Sequence, residues 1–332
     1  MKKHIVSVVL AAAVAASVSL CGCGNNDRSK AQGYTIYMPD GAPAIAVSAL
    51  MANGFENTDF TVVQSTAIAQ YVANGTADLA IMPINAAAKL YNDGVGITML
   101  SVNTHGNLYL VGSGEDVGLS DLKGKRVGVI GQGQVPDLTL RMMLDERGID
   151  YAVSNDAVDG AVSIRYGADG AALLPLLGNG SIDYAFLAEP AATTAVGRFN
   201  KAIVMDAQAE WQSVFNSSYP QACLVAKKDV VDGKPEYIEK LLTALENSDD
   251  WAKTHADEAI AAIKSHMSDG TVSTLPETMS AETIARCNID TVRAASCVNT
   301  CEVFFTKLTQ MQTPLGAPVL AKVPDSGFYY GA

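Results

Sequence analysis

Charge is scarce in this chain. Asp, Glu, Lys and Arg make up 17% of its 332 residues, and aromatic residues only 7%. No run of basic residues occurs, and 23 Lys and Arg stand against 35 Asp and Glu, a net charge of −12. Such a chain repels phosphate backbones at long range, so nucleic acid is excluded as a partner, and so is a basic membrane patch. Histidine is rarer still, with four in all. Three of them, His105, His255 and His266, lie beyond the N-terminal segment. There is no Gly-x-Ser-x-Gly and no His-Glu-x-x-His, which leaves hydrolase and zinc-protease chemistry without its usual residues. No His or second Cys pair accompanies Cys297 and Cys301, so neither a metal nor another cofactor is expected. Six cysteines are too few for a disulfide scaffold. What is present is 48% hydrophobic residue content with 28 Gly and 12 Pro, a well-packed chain long enough for two domains.

The N-terminus reads as an address. Lys2 and Lys3 precede an uncharged Ala/Val-rich stretch over 5–20, short for a spanning helix and suited to a signal-peptide core. Leu20-Cys21-Gly22-Cys23 then resembles the lipobox of bacterial lipoproteins, which implies cleavage after residue 22 and a lipid on Cys23. Two or more acyl chains hold a protein stably, at about 0.8 kcal/mol per buried methylene. Residues 23–33 are polar and read as a tether. Removing residues 1–22 leaves 21 basic against 35 acidic side chains, a net −14. Cys223, Cys287, Cys297 and Cys301 remain as free thiols, or with a bridge from Cys287 to Cys297 or Cys301.

The strongest internal signal is a repeat. Asn74-Gly-Thr-Ala-Asp-Leu-Ala-Ile-Met-Pro-Ile-Asn-Ala-Ala87 matches Asn179-Gly-Ser-Ile-Asp-Tyr-Ala-Phe-Leu-Ala-Glu-Pro-Ala-Ala192 without a gap. Each copy has a turn, a fixed Asp, an apolar strand and an Ala-rich helix start. Upstream, residues 35–43 and 126–136 each run from a strand into a Gly/Pro-rich turn and an apolar helix. Short strands alternating with amphipathic helices predict mainly parallel sheets. Strands are expected near 34–38, 60–64, 78–82 and 97–102, then near 126–130, 151–154, 183–187 and 202–205. Residues 108–112 are expected to make the first crossing between lobes, and 206–219 the return, followed by a strand over 223–226. The tail from 235 onward keeps helical spacing and is expected to pack on lobe one. The predicted architecture is α/β and two-lobed. Lobe one is 34–110 plus 216–332, lobe two is 111–215, and two crossings form a hinge that closes over a ligand.

These features together resemble one family, the type II extracytoplasmic solute-binding proteins of ABC importers. The residues that carry the resemblance are the lipobox, Asp121-Leu-Lys-Gly-Lys-Arg-Val-Gly-Val129, the segment Asn179–Ala191 and the ending Lys322-Val-Pro-Asp-Ser-Gly-Phe-Tyr-Tyr330. The branch is the one serving nitrate, sulfonates, taurine and thiamine-pyrimidine precursors. The resemblance covers roughly 34–330. It implies a small-molecule solute, a membrane permease with a cytoplasmic ATPase as partners, a monomer, and a place on the extracytoplasmic face of the membrane. A receptor subunit reporting to a sensor would use the same clamp. The Cys-rich iron motif of cytosolic pyrimidine-synthase relatives is missing, which disfavours an enzyme.

Candidate ligand contacts lie in the loops that follow the strands. In lobe one these are Asp40, Gly41 and Ala42, then Ser65 and Thr66, then Asn85, then the polar run 103–107 with Asn103 and His105. In lobe two they are Gln132 and Gln134 in the Gly131-Gln-Gly-Gln134 turn, then Arg165 and Tyr166, then Glu189. Each has a plain structural alternative as a cap, turn or surface loop. The Gly131 turn lacks the third glycine of a dinucleotide fingerprint, so no nucleotide is expected. In the repeat, Glu189 aligns with Ile84, so only lobe two places a carboxylate there. With Asp40, it favours a ligand carrying a positive or hydrogen-donating nitrogen.

Overall fold

The computed structural model describes residues 33–313 and 315–332. The signal segment, Cys23 and all of the tether except Gly33 lie outside the described residues. The described chain builds two six-stranded sheets. The first contains β1 (Tyr34–Pro39), β2 (Thr58–Val63), β3 (Leu79–Pro83) and β4 (Ile97–His105). The second begins with β5 (Leu108–Gly112) and continues through β6 (Arg126–Ile130), β7 (Tyr151–Val153), β8 (Val162–Gly167), β9 (Tyr184–Ala188) and β10 (Ala202–Asp206). The chain then returns to the first sheet with β11 (Pro220–Lys227) and β12 (Ile289–Arg293). The orders are β12-β4-β11-β3-β1-β2 and β10-β5-β9-β6-β8-β7.

Each sheet has a parallel half and a strand that enters from the other side, and in the first sheet β12 also runs antiparallel, beside β4. In the first, β1 pairs parallel with β2 and β3, and the returning β11 runs antiparallel between β3 and β4. In the second, β6 pairs parallel with β8 and β9, and β5 runs antiparallel between β9 and β10. The segment expected as a crossing, 108–112, is therefore a buried strand inside the second sheet. The crossing itself is the short run after His105. There the two passages touch: Gly106 N donates to Tyr219 O at 3.1 Å. A Cβ on Gly106 would stand 2.4 Å from the Tyr219 ring, so this close approach requires glycine.

The sequence repeat is a structural repeat down to single bonds. Asn74 Oδ1 accepts from Thr76 N, and Asn179 Oδ1 accepts from Ser181 N, both at 2.9 Å. These are matching Asx turns. Asp78 Oδ2 then accepts from Thr35 N at the start of β1, and Asp183 Oδ2 accepts from Arg126 N at the start of β6. Each fixed Asp thereby sets the register of a parallel pair. Lys227 neutralises Asp78 at 2.8 Å, and Arg126 neutralises Asp183 at 2.7 Å. The Arg126 hydrogen bonds hold the Asp183 carboxyl below its usual range against the opposing pull of burial.

The tail covers the first sheet. Tyr237, Leu241, Leu242 and Leu245 of helix Pro235–Glu246, with Ile260 and Ile263 of helix Ala256–Ser265, share one core with Ile36, Met38 and Val62. Helix Ala294–Gln310 belongs to a second core that reaches both sheets. Its Phe304 packs against Trp211 and Tyr219. Cys223, Cys287, Cys297 and Cys301 are all free and buried. Cys287 lies in the first of these cores and the other three in the second, so the bridges from Cys287 that the sequence left open are not formed.

Candidate functional site

A cavity of about 370 Å³ opens between the sheets. Its walls are the carboxyl ends of the parallel strands. Pro39 ends β1, Val63 ends β2 and Pro83 ends β3, while Ile130 ends β6 and Ala188 ends β9; all five line the cavity. This is where open α/β sheets place ligands, because strand ends and helix starts leave backbone groups and loops free there.

Asp40, Gly41, Ala42, Ser65, Thr66, Gln132, Gln134 and Glu189 line this cavity. The remaining expected residues stand elsewhere. Asn103 is fully buried within the first sheet, where Oδ1 accepts from Ser101 Oγ and Nδ2 donates to Thr291 Oγ1. His105 Nε2 pairs with Asp290 O at 3.1 Å. In an extended strand, neighbouring residues face opposite sides. Thr104, between these two, is the one that reaches the cavity, together with Asn107. Arg165 and Tyr166 sit in β8 and border a separate crevice beside Val153 and Ser154. Asn85 does not line the cavity; its Nδ2 donates across to Gly133 O at 3.0 Å. That bond ties the start of the helix after β3 to the Gly131–Gln134 turn of the second sheet.

The two acids expected to meet the ligand are already engaged. Asp40 Oδ2 accepts from Thr274 Oγ1 at 2.7 Å and from Thr274 N, and Oδ1 accepts from Ser273 Oγ at 3.3 Å. These bonds hold the 271–274 segment over the cavity, where Thr271, Val272 and Thr274 form part of the wall. Glu189 has a fully buried carboxylate 2.7 Å from Arg286 Nε. Thr193 donates to it twice, through N at 3.0 Å and Oγ1 at 2.8 Å. Burial alone would lower the pKa of Arg286, but the bond to Glu189 keeps it above the ordinary value. Arg286 ends helix Ala281–Arg286, whose Ile284 belongs to the core of the first sheet. The ion pair therefore spans the two sheets. Neither acid offers the free carboxylate that the sequence reading gave to a nitrogenous ligand.

The Gly131–Gln134 turn has its own support. Gly131 has φ +58°, and a Cβ there would stand 2.5 Å from Gln134 Cγ. Glycine lets Gln134 fold across the turn. Helix Val135–Glu146 follows, with Pro136 and Asp137 in its first turn, positions that suit a fixed φ and an acid. Asp137 is fully buried. Its Oδ2 accepts from Gly133 N at 2.8 Å and lies 3.4 Å from Arg141 Nη1, and its Oδ1 accepts from Tyr166 Oη at 2.7 Å. Burial and this carboxylate raise the Tyr166 pKa well above its ordinary value, so the phenol stays a donor. Tyr166 thus supports the turn from behind.

The sequence reading missed Gln64, Asp169, Gln221 and the 271–274 segment, all of which line the cavity. Gln64 and Asp169 follow β2 and β8, and the rule that gave Ser65 applies to them equally. Nothing local in the sequence marks Gln221 or 271–274. Among the described residues, no group of three or more His, Cys, Asp or Glu could hold a metal ion.

Residues 59–259 match the family described as NMT1/THI5 like. The chain belongs to this NMT1/THI5-like family. No curated protein matches the sequence. Among solved structures, an ABC transporter protein from Parabacteroides distasonis is similar at a TM-score of 0.69 and 22% identity, over 90% of this chain and 98% of that one. The periplasmic aliphatic sulphonate binding protein SsuA from Escherichia coli is similar at a TM-score of 0.60 and 13% identity, over 90% and 99%. The ligand binding component of an ABC-type import system from Staphylococcus aureus, with zinc bound, is similar at a TM-score of 0.60 and 12% identity, over 91% and 99%. At such identities the likeness establishes the fold, which is the two-lobed α/β fold of type II periplasmic binding proteins.

Proposed function

We propose that this chain is the lipid-anchored solute-binding component of an ABC importer, which captures one small molecule between its lobes and delivers it to a membrane permease with a cytoplasmic ATPase. The observation that carries this reading is the cavity itself, walled by the carboxyl ends of parallel strands from both sheets. Family membership and the likeness to binding components of ABC systems support it. The proposal needs no bond chemistry. Glu189 and Asp40 are held by protein partners, and His105 is turned to Asp290. We place lobe one at 34–107 plus 216–332 and lobe two at 108–215; the first boundary stands at 107 rather than 110 because β5 pairs wholly in the second sheet. Sulfonates and nitrogenous heterocycles are the solutes the sequence reading brought forward.

A ligand that binds only the folded state stabilises it by about 2.7 kcal/mol at a hundred times its Kd. A thermal-shift screen of the full chain in detergent should therefore find one solute class that raises Tm by roughly 5 °C. Inertness across a broad set of metabolites would end the reading. Anchoring has its own test. In bacterial cells the wild type should fractionate with membranes and Cys23→Ala with the soluble fraction; an unchanged distribution would remove the lipid from Cys23.

A further inference from the structure

Resting on that solute-binding reading, we infer that the solute is uncharged, with a compact aliphatic body and an amide-type edge that both donates and accepts hydrogen bonds. The way the cavity is built disfavours anions such as sulfonates.

An anion binds in such a cleft through cations or through free helix N-termini. Among the described residues, no Lys, Arg or His lines the cavity. Acids stand at the helix N-termini of the second lobe as well. Three helices of the second lobe open on it: Val135–Glu146, Gly170–Gly178 and Ala191–Phe199. Each already carries a carboxylate of this chain in its first turn or just before it. Asp137 stands in the first turn of one and accepts from Gly133 N. Asp169 caps the next, accepting from Ala172 N at 2.8 Å. Glu189 accepts from Thr193 N of the third. The positive end of each dipole is thus met by an internal negative charge. A bound anion would find the Asp169 carboxylate at one of these N-termini, ion-paired acids at the other two, and no cation on the wall.

A cation would meet carboxylates that the chain already holds in hydrogen bonds. Glu189 is matched by Arg286, and Asp40 is consumed by Ser273 and Thr274. Asp169 gives one oxygen to its own helix cap. What the wall does offer is carboxamide: Gln64, Gln132, Gln134, Gln221 and Asn107 all line it. Asn107 is 1% exposed, and its Oδ1 has no hydrogen-bond partner among the described residues. A buried amide oxygen left unpaired is costly. Carboxamides pair best with groups that present a donor beside an acceptor, such as amides, lactams and imides. The apolar wall is Pro, Val, Ile and Ala, and among the described residues no aromatic side chain lines it. Such a surface suits a saturated body rather than a flat ring that seeks stacking.

The test uses matched probes on the full chain in detergent, read by thermal shift and calorimetry. Cyclohexanecarboxamide, caprolactam and cyclic dipeptides form the uncharged arm. Cyclohexanesulfonate and cyclohexanecarboxylate form the anionic arm, and cyclohexylammonium the cationic one. The tightest binding is expected in the uncharged arm, with affinity falling about tenfold in Gln134→Leu. Asp169→Asn keeps a capping side chain while removing its charge, and should raise affinity for cyclohexanesulfonate several-fold. Tm without probe confirms that both variants fold. If a sulfonate, carboxylate or ammonium probe binds the wild type most tightly, the inference on solute class fails while the solute-binding reading stands. If no probe in any arm binds, the inference on solute class fails, and the broad metabolite screen decides the solute-binding reading.

Discussion

Arg286→Ala is expected to lower the unfolding free energy by about 3 kcal/mol, and Tm by roughly 6 °C in a chain of this size. The carboxylate of Glu189 is fully buried, and Arg286 Nε is its cation at 2.7 Å. Removing the guanidinium leaves an uncompensated charge in the interior, which costs far more than the pair contributes when intact. Because Arg286 keeps some contact with water, the low end of the usual range applies. The geometry makes a finer point. Arg286 donates Nε to Glu189, Nη2 to Thr193 Oγ1 and Nη1 to Glu282. A lysine offers one ammonium and cannot reproduce that fork, so Arg286→Lys should recover less than half of the loss. Glu189→Gln removes the buried charge and should relieve most of the damage in the double variant. Chemical denaturation of the four species gives the coupling directly. Additive losses would show that the pair does not act as a unit.

Asp137→Ala is the second large effect, at about 3 kcal/mol. The variant deprives the half-buried Arg141 of its carboxylate and leaves the Gly133 amide and the Tyr166 hydroxyl without their acceptor. Its particular consequence is local. The Gly131–Gln134 turn hangs on that carboxylate, and Gln132 and Gln134 point from it to the cavity wall. Solute affinity should fall more than tenfold, and the Gly133 amide should exchange with solvent much faster. Tyr166→Phe removes one bond to the same carboxylate and should cost only about 1 kcal/mol. If Asp137→Ala loses stability but keeps full affinity and slow exchange at Gly133, the turn is held by other means.

Much of this architecture is legible in the sequence because the repeat is written in short-range chemistry. Asn-Gly-Thr and Asn-Gly-Ser form the same Asx turn, and Asp78 and Asp183 pin the same strand starts. The strand-end loops then follow from topology, which is why Asp40, Ser65, Gln132 and Glu189 reach one cavity. Parity explains part of the rest. The polar run 103–107 identifies the right strand, but alternation hands the cavity Thr104 and sends Asn103 and His105 to the other face. Arg165 and Tyr166 read as a polar wall ahead of the apolar run 171–177, yet they lie in β8 and pair with β6. The largest gap is Glu189. A carboxylate in a loop is visible in one sequence, but its partner lies 97 residues further along. Only the folded chain shows that Arg286 neutralises it, which removes one of the two acids that favoured a positive or hydrogen-donating nitrogen.

The cavity as the solute site is most directly tested by filling it. Ala168 is exposed at the cavity wall, just after β8, so a large side chain there intrudes on the space without disturbing a core. The best solute from the screen should bind the wild type one to one and raise its Tm by roughly 5 °C. Ala168→Trp should keep the Tm of the solute-free wild type and lose both the heat of binding and the shift. An undiminished shift in Ala168→Trp would place the solute elsewhere and contradict the account.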